Sequence, residues 1–494
     1  MFESAELGHK ISKEVYSHEE PLLREQLLEC QYELLAAKRF PVLVIISGAD
    51  GAGKGETVNL LNEWMDPRLI MTEAFDAPSQ EERQRPRFYR FWNTLPPKGH
   101  IGILFGSWYT SPIEERVSGD TKTVELDAAI EEIVRFEKML TDEGALVLKF
   151  WFHLSKNRQK ARLKALEANP KTRWRISDTE WEQFKHYDKF RRISEHTLRK
   201  TSTGNAPWIV VEGTDANFRS LTVGQTLLKT LRARLGSPDL PSATANLPPI
   251  FAPVDNLHLL QTLDMSQVMA KKEYNAELEK WQGRLNSLSR HPEFKKLSVV
   301  FLFEGNDAAG KGSTIRRVTQ ALDARRYQVI QVTAPTDEEL AQPYLWRFWR
   351  HLPKRGSITI FDRSWYGRVL VERVEKFCAE TDWMRAYAEI NDFEEQLINH
   401  RIVVVKFWLA ITKEEQLARF KQREETPHKQ FKITADDWRN REKWDQYEHA
   451  VCDMIDRTST EYAPWHVIPS NDKRSARIQV LRSCCESIEE ALNE

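Results

Sequence analysis

The chain has 494 residues, too many for one ordinary hydrophobic core and enough for two or three domains. Its 72 Lys and Arg nearly balance 73 Asp and Glu, so no global charge draws it to nucleic acid or to an anionic membrane, and a polyanion site must be a local basic patch. Five cysteines, Cys30, Cys378, Cys452, Cys484 and Cys485, form no CxxC pair and no disulfide or metal framework, which reads as buried thiols in a reducing, cytoplasmic compartment.

The N-terminus, Met1 to Glu6, is acidic and polar and has neither the basic nor the apolar region of a signal peptide. No apolar run approaches the ~20 residues that span a bilayer, so no membrane association is expected. Residues 21–38 read as an amphipathic helix with Pro21 in its first turn. Phe40 to Ile46 is strand-like. Ser47-Gly48-Ala49-Asp50-Gly51-Ala52-Gly53-Lys54-Gly55 follows, a phosphate-loop pattern. Residues 233–262, with Pro238, Pro241, Pro248, Pro249 and Pro253, predict an extended linker. A helix is expected at about 265–289. The apolar run Leu297 to Phe303 then ends in a second phosphate-loop pattern, Gly305-Asn306-Asp307-Ala308-Ala309-Gly310-Lys311-Gly312-Ser313. Glycines let backbone N–H groups close around phosphate oxygens, the following helix adds its positive end, and the Lys adds a point charge.

The two loop lysines, Lys54 and Lys311, lie 257 positions apart (311 − 54). The same offset pairs Phe91-Trp92 with Phe348-Trp349, Ser107-Trp108-Tyr109 with Ser364-Trp365-Tyr366, and Lys149-Phe150-Trp151 with Lys406-Phe407-Trp408. It also pairs Thr201-Ser202-Thr203 with Thr458-Ser459-Thr460. The chain is a tandem duplication. Strands alternate with helical stretches in each copy, predicting an α/β fold with a mainly parallel sheet, a phosphate loop after the first strand and a helical lid. The expected domains are 1–232 and 263–494.

In the second copy an apolar strand ends at Asp362-Arg363-Ser364. A carboxylate at this strand end, beside a phosphate loop, is where such folds hold Mg2+. Arg347, Arg363 and Arg368 fall on loops expected at the same sheet end, and their planar forks suit phosphate oxygens. The first copy has Phe105, Gly106 and Ser111 where the second has Asp362, Arg363 and Arg368, although Asp50, Lys54 and Arg90 remain. Phe cannot ligate Mg2+, so turnover is expected in the second copy alone. The stretch Phe431 to Arg441, after the charge-dense segment 421–430, is expected either as a lid over phosphates or as a solvated helix hairpin.

Together these motifs resemble the polyphosphate kinase type 2 family, in particular tandem members that phosphorylate AMP with inorganic polyphosphate. The resemblance covers both copies. It implies that Asp307 and Asp362 organise Mg2+ and the acceptor phosphate. Lys311 and Arg363 would contact the transferred phosphoryl group, with Gly305, Ala308, Ala309, Gly310, Gly312, Ser313 and Arg347 cradling phosphates. Arg368 and Glu372 would place the acceptor, and Lys432 and Arg441 would come from the lid. The lid departs from the family's common Trp-Lys-Leu-Ser-Pro-Met-Asp, with Phe431 for the Trp and Thr434-Ala435-Asp436 for Ser-Pro-Met. Expected partners are polyphosphate and AMP or ADP, with no nucleic acid; a homodimer of the whole chain stays open. The alternatives are an ATP-dependent nucleotide kinase, against which Gly312 replaces the usual Ser or Thr after the loop Lys, a polyphosphate kinase acting on nucleoside diphosphates, and a decayed polyphosphate-binding scaffold.

Overall fold

Runs of β-branched and aliphatic residues build the centre of each copy. The computed structural model describes residues 1–176, 178–237, 259–427, 430 and 433–493. The prolines of the expected linker and Lys432 of the expected lid therefore lie outside the described residues. In the first copy the strands are β1 (Val42–Gly48), β2 (Ile70–Ala74), β3 (Ile101–Phe105), β4 (Leu146–His153) and β5 (Trp208–Glu212). Those of the second copy are β6 (Ser298–Gly305), β7 (Tyr327–Gln331), β8 (Ile358–Asp362), β9 (Ile402–Ala410) and β10 (Trp465–Pro469). Both sheets are parallel and share one order, β2-β3-β1-β4-β5 and β7-β8-β6-β9-β10. Even the register repeats: Val42 faces Ile101, and Val299 faces Ile358. Val299 to Phe303 are fully buried, as a parallel strand covered on both faces requires.

The order matters for the site. The chain reverses direction across the sheet between its first strand and the strands on either side, and ligands in open α/β sheets bind outside the carboxyl ends of the strands at that point. In the second copy this is where β6 and β8 end, at Gly305 and Asp362.

Each sheet rests on a buried ionic cluster. In the second copy the Lys406 ammonium donates to the Glu394 carboxylate (2.7 Å), the Thr458 carbonyl (2.6 Å) and the Tyr366 hydroxyl (3.0 Å). Trp365 and Tyr366 donate to the other oxygen of the same carboxylate. In the first copy Lys149, Glu137, Thr201, Tyr109 and Trp108 repeat the arrangement. A lysine this deep is stable only with its charge paired and its three protons engaged, which each cluster supplies.

The first helix departs from expectation. It runs Lys13–Ala37 with Pro21 inside it, not at its start, because the Ser12 hydroxyl accepts from the Val15 N–H and caps it a full two turns earlier. The helix before the second copy spans Lys271–Ser289. The chain forms two compact units, and residues 80–89 group with the second while Thr336–Trp346 group with the first, so the units are not simply the two halves of the chain. No helix is long and apolar enough to cross a membrane among the described residues. Four cysteines are buried, and Cys378 is half-buried.

Candidate active site in the second copy

The loop from Gly305 to Gly310 turns β6 into the helix Lys311–Thr319. Its carbonyls are held from beneath by Arg419, only 4% exposed. That guanidinium donates to Ala308 O (2.9 Å), Ala309 O (3.1 Å), Ser470 O (2.7 Å) and Asn471 O (2.8 Å), and its Nε pairs with Glu415 (2.6 Å). Carbonyl oxygens held this way are kept from an incoming anion, while the helix start presents N–H groups to it. Lys311 Nζ folds back to Gly305 O (2.6 Å).

Asp362 ends β8 beside the start of that helix. Its Oδ2 lies 3.9 Å from where a Cβ on Gly312 would fall, and no hydrogen-bond donor engages its carboxylate among the described residues. Arg363 follows with φ +65°, and its Nη2 reaches Asp307 Oδ1 at 3.3 Å. Asp307 Oδ2 accepts from Asn440 Nδ2 at 2.8 Å. Desolvation works against the Arg363 charge, but Asp307, Glu304, Asp362 and Asp437 outweigh it and hold the guanidinium above its ordinary range. Glu304, deep under the loop, accepts from Ser364 Oγ (2.8 Å), and burial pushes its carboxyl up.

These groups open on a cleft of about 860 Å³. Lys311, Arg316, Arg363, Arg423, Lys473 and Arg477 line it, against Asp307, Asp362 and Asp437. Burial, and then the neighbouring charge of Arg419, pushes Lys473 down to about 8, with Arg477 and Arg423 adding and Glu415 opposing. So dense a set of cations, facing few carboxylates, is built for a polyanion.

The structure brings Asp307, Ala308, Ala309, Gly310, Lys311, Gly312, Ser313, Asp362 and Arg363 together on this cleft. Gly305 lines a smaller adjoining cavity of about 90 Å³ with Glu304, Arg363, Asn440 and Tyr447. Arg347 is placed differently: it donates to Thr333 O (3.0 Å), bracing a residue that lines the cleft. Arg368 and Glu372 pair with each other at 2.8 Å, apart from the cleft lining. Arg441 donates to Lys413 O (2.6 Å) and Gln416 Oε1 (3.2 Å), so it braces the helix Lys413–Glu425. Sequence reasoning passed over Arg316, Arg423, Lys473, Arg477 and Asn440. The duplication carried a signal for them: at the same offset the first copy has Asn59, Leu166, Ala216, Ser220 and Gln183.

The first copy's loop is neutralised from within. Lys54 Nζ binds Gly48 O (2.5 Å) and the Asp50 carboxylate (3.0 Å). Glu56, in the first turn of the following helix, pairs with Arg219 (2.7 Å) and Arg162 (3.1 Å). Arg219 lies so close over the loop that a Cβ on Gly53 would fall 2.2 Å from its Cζ. The backbone otherwise matches closely: Gly106 has φ +75° where Arg363 has +65°, and Gly51 has +76° where Ala308 has +66°.

A family model described as polyphosphate kinase 2 matches residues 10–237 and again 268–494. The chain belongs to the polyphosphate kinase 2 family. A polyphosphate:AMP phosphotransferase of Pseudomonas aeruginosa is 56% identical over 491 residues, 99% of each chain. The protein of that name from Acinetobacter johnsonii is 39% identical, covering 95% of this chain and 96% of its own. A crystal structure described as that of a polyphosphate kinase 2 from Pseudomonas aeruginosa superposes with a TM-score of 0.91 at 55% identity, covering 100% of both chains. Both polyphosphate kinase 2 domains are thus present in tandem, as the sequence repeat requires.

Proposed function

We infer that this chain transfers the terminal phosphoryl group of inorganic polyphosphate to AMP, giving ADP, and that its second copy carries the reaction. The observation that supports the assignment to that copy is the cleft beside Asp362, with its ring of Lys and Arg. Charge neutralisation and in-line placement supply most of phosphoryl-transfer catalysis. A phosphate oxygen of AMP, already ionised at neutral pH, forms the new P–O bond as the bridging P–O bond of the donor breaks. The shortened chain leaves carrying the negative charge, which Lys311, Arg363 and the cleft cations take up. No strong base is needed. Asp307, fixed between Arg363 and Asn440, holds Arg363 in position toward the reacting phosphates.

The donor set suits Mg2+ of the kind that keeps waters and phosphate ligands. No trio of ligating side chains clusters among the described residues, and the Asp362 carboxylate has no competing donor. Asp362 would hold the ion, and Asp307 would join on releasing its present contacts. When bound, Mg2+ supplies charge neutralisation across the phosphoryl oxygens.

The test is purified chain with Mg2+, long-chain polyphosphate and AMP, with ADP measured. ADP is expected, and none when ATP at the same concentration replaces polyphosphate with AMP still present, which tests the ATP-dependent kinase reading. Asp362→Asn is expected to lower turnover by roughly a thousandfold or more, the scale of losing a charge that acts on the transition state. Full activity in that variant would overturn the assignment to the second copy.

A further inference from the structure

The first copy also carries a cleft, of about 700 Å³, and its chemistry is the reverse of the second's. Aromatic side chains form much of its lining, among them Phe75, Phe105, Tyr109, Trp151 and Phe190. Trp151 and Phe190 stack with ring centroids 5.8 Å apart. Four carboxylates, Asp50, Asp76, Glu114 and Glu182, line it. Lys54 is the single Lys or Arg among its described lining residues, and it is already engaged by Asp50 and Gly48 O.

The space has an identifiable origin. At the offset of 257, Glu304, Arg363 and Tyr447 fill the corresponding region of the second copy, whose cavity measures about 90 Å³. Here those positions are Ser47, Gly106 and Phe190. Ser47 is 9% exposed, lines the cleft, and its Oγ has no hydrogen-bond partner. A buried hydroxyl left without a partner is costly unless a ligand or water supplies one. One position of the helical stretch over the cleft reverses its charge and a second exchanges an ammonium for an imidazole: Arg439 and Lys443 of the second copy are Glu182 and His186 here.

We propose that the first copy's cleft binds an organic cation with an aliphatic body, of the polyamine class, and not a phosphate chain. Ammonium groups are attracted by the carboxylates and by aromatic faces, and the methylene segments remove apolar surface from water. An N–H of the ligand donates to Ser47 Oγ. Desolvation, with the charge of Asp50 adding to it and that of Lys54 opposing, holds the Glu114 carboxyl above its ordinary range. Phosphate oxygens would meet the carboxylates of Asp76 and Glu114, unpaired among the described residues, with the lining ammonium of Lys54 already held by Asp50. This site is independent of the reading of the second copy, since the two clefts share no lining residue.

Spermidine is the probe, titrated calorimetrically into the full chain without polyphosphate or AMP. Saturable one-site binding is expected. Glu114→Gln should weaken it about tenfold and Glu114→Lys abolish it, both variants keeping the wild-type melting temperature and ADP formation. Ser47→Ala should weaken it about threefold. Adenosine and short-chain polyphosphate, titrated separately, should leave the Glu114→Lys variant indistinguishable from wild type. Absence of spermidine binding, or spermidine binding that Glu114→Lys leaves unchanged, would overturn the proposal. So would adenosine or polyphosphate binding that Ser47→Ala weakens.

Discussion

Lys473 sits among Arg419, Arg423 and Arg477 with its ammonium pushed down to about 8. Free enzyme therefore loses this charge as pH rises through about 8, and a bound polyanion favours regaining it. The KM for polyphosphate is expected to rise several-fold between pH 7 and 9.5, and Lys473→Arg should flatten that rise by keeping its charge; initial-rate kinetics across the range decide it. The stability sign is opposite. An unfolded Lys keeps its proton to about 10.4, so between about 8 and that value the unfolded chain binds more protons and this group's contribution to stability increases with pH. Asp362 and Lys311 were legible in the sequence because each lies in a short local pattern. Lys473 and Arg477 were not, because they lie on the last helix, more than a hundred residues from the loop they face.

At the scale of elements, the motifs that recur at the offset of 257 have a role that sequence alone did not assign. Ser-Trp-Tyr, Lys-Phe-Trp and Thr-Ser-Thr meet around one buried carboxylate, Glu394 in the second copy and Glu137 in the first. They hold the last strands and their helices in register, while the divergent positions carry the difference in chemistry. Removing one partner strands a buried charge, which typically costs about 3–5 kcal/mol. Lys406→Met is thus expected to lower the unfolding free energy by that amount, and Lys149→Met similarly, as urea unfolding would show. The parallel sheets followed from alternating apolar runs, whereas the strand order, set by long-range pairing, was not read from the sequence. The start of the first helix did not, because a proline outweighed a serine cap in the reading of residues 13–21.

For the whole molecule, the first copy retains the fold with its loop lysine engaged internally: Lys54 pairs with Asp50 and Gly48 O. Lys54→Ala is expected to change the rate of ADP formation by less than about twofold, since an interaction absent from the transition state does not alter the barrier. Residues 80–89 group with the second unit, where Arg85 Nε donates to Leu352 O at 3.3 Å. A fragment of residues 263–494 lacks that segment. It should melt earlier than the same unit within the full chain, measured by comparing the two in a thermal scan.

Arg363 and Ala308 hold a left-handed backbone that L side chains adopt at a cost of about 1–2 kcal/mol each. The first copy places Gly106 and Gly51 in the same two conformations. Ala308→Gly should accordingly stabilise the second unit by about 1 kcal/mol. The duplicated chain thus builds the same two backbone turns twice, once from L residues under strain and once from relaxed glycine. An Arg at position 106 would reimpose that strain. Exchange of an L residue for glycine at these turns runs downhill in folding energy, and the return path climbs.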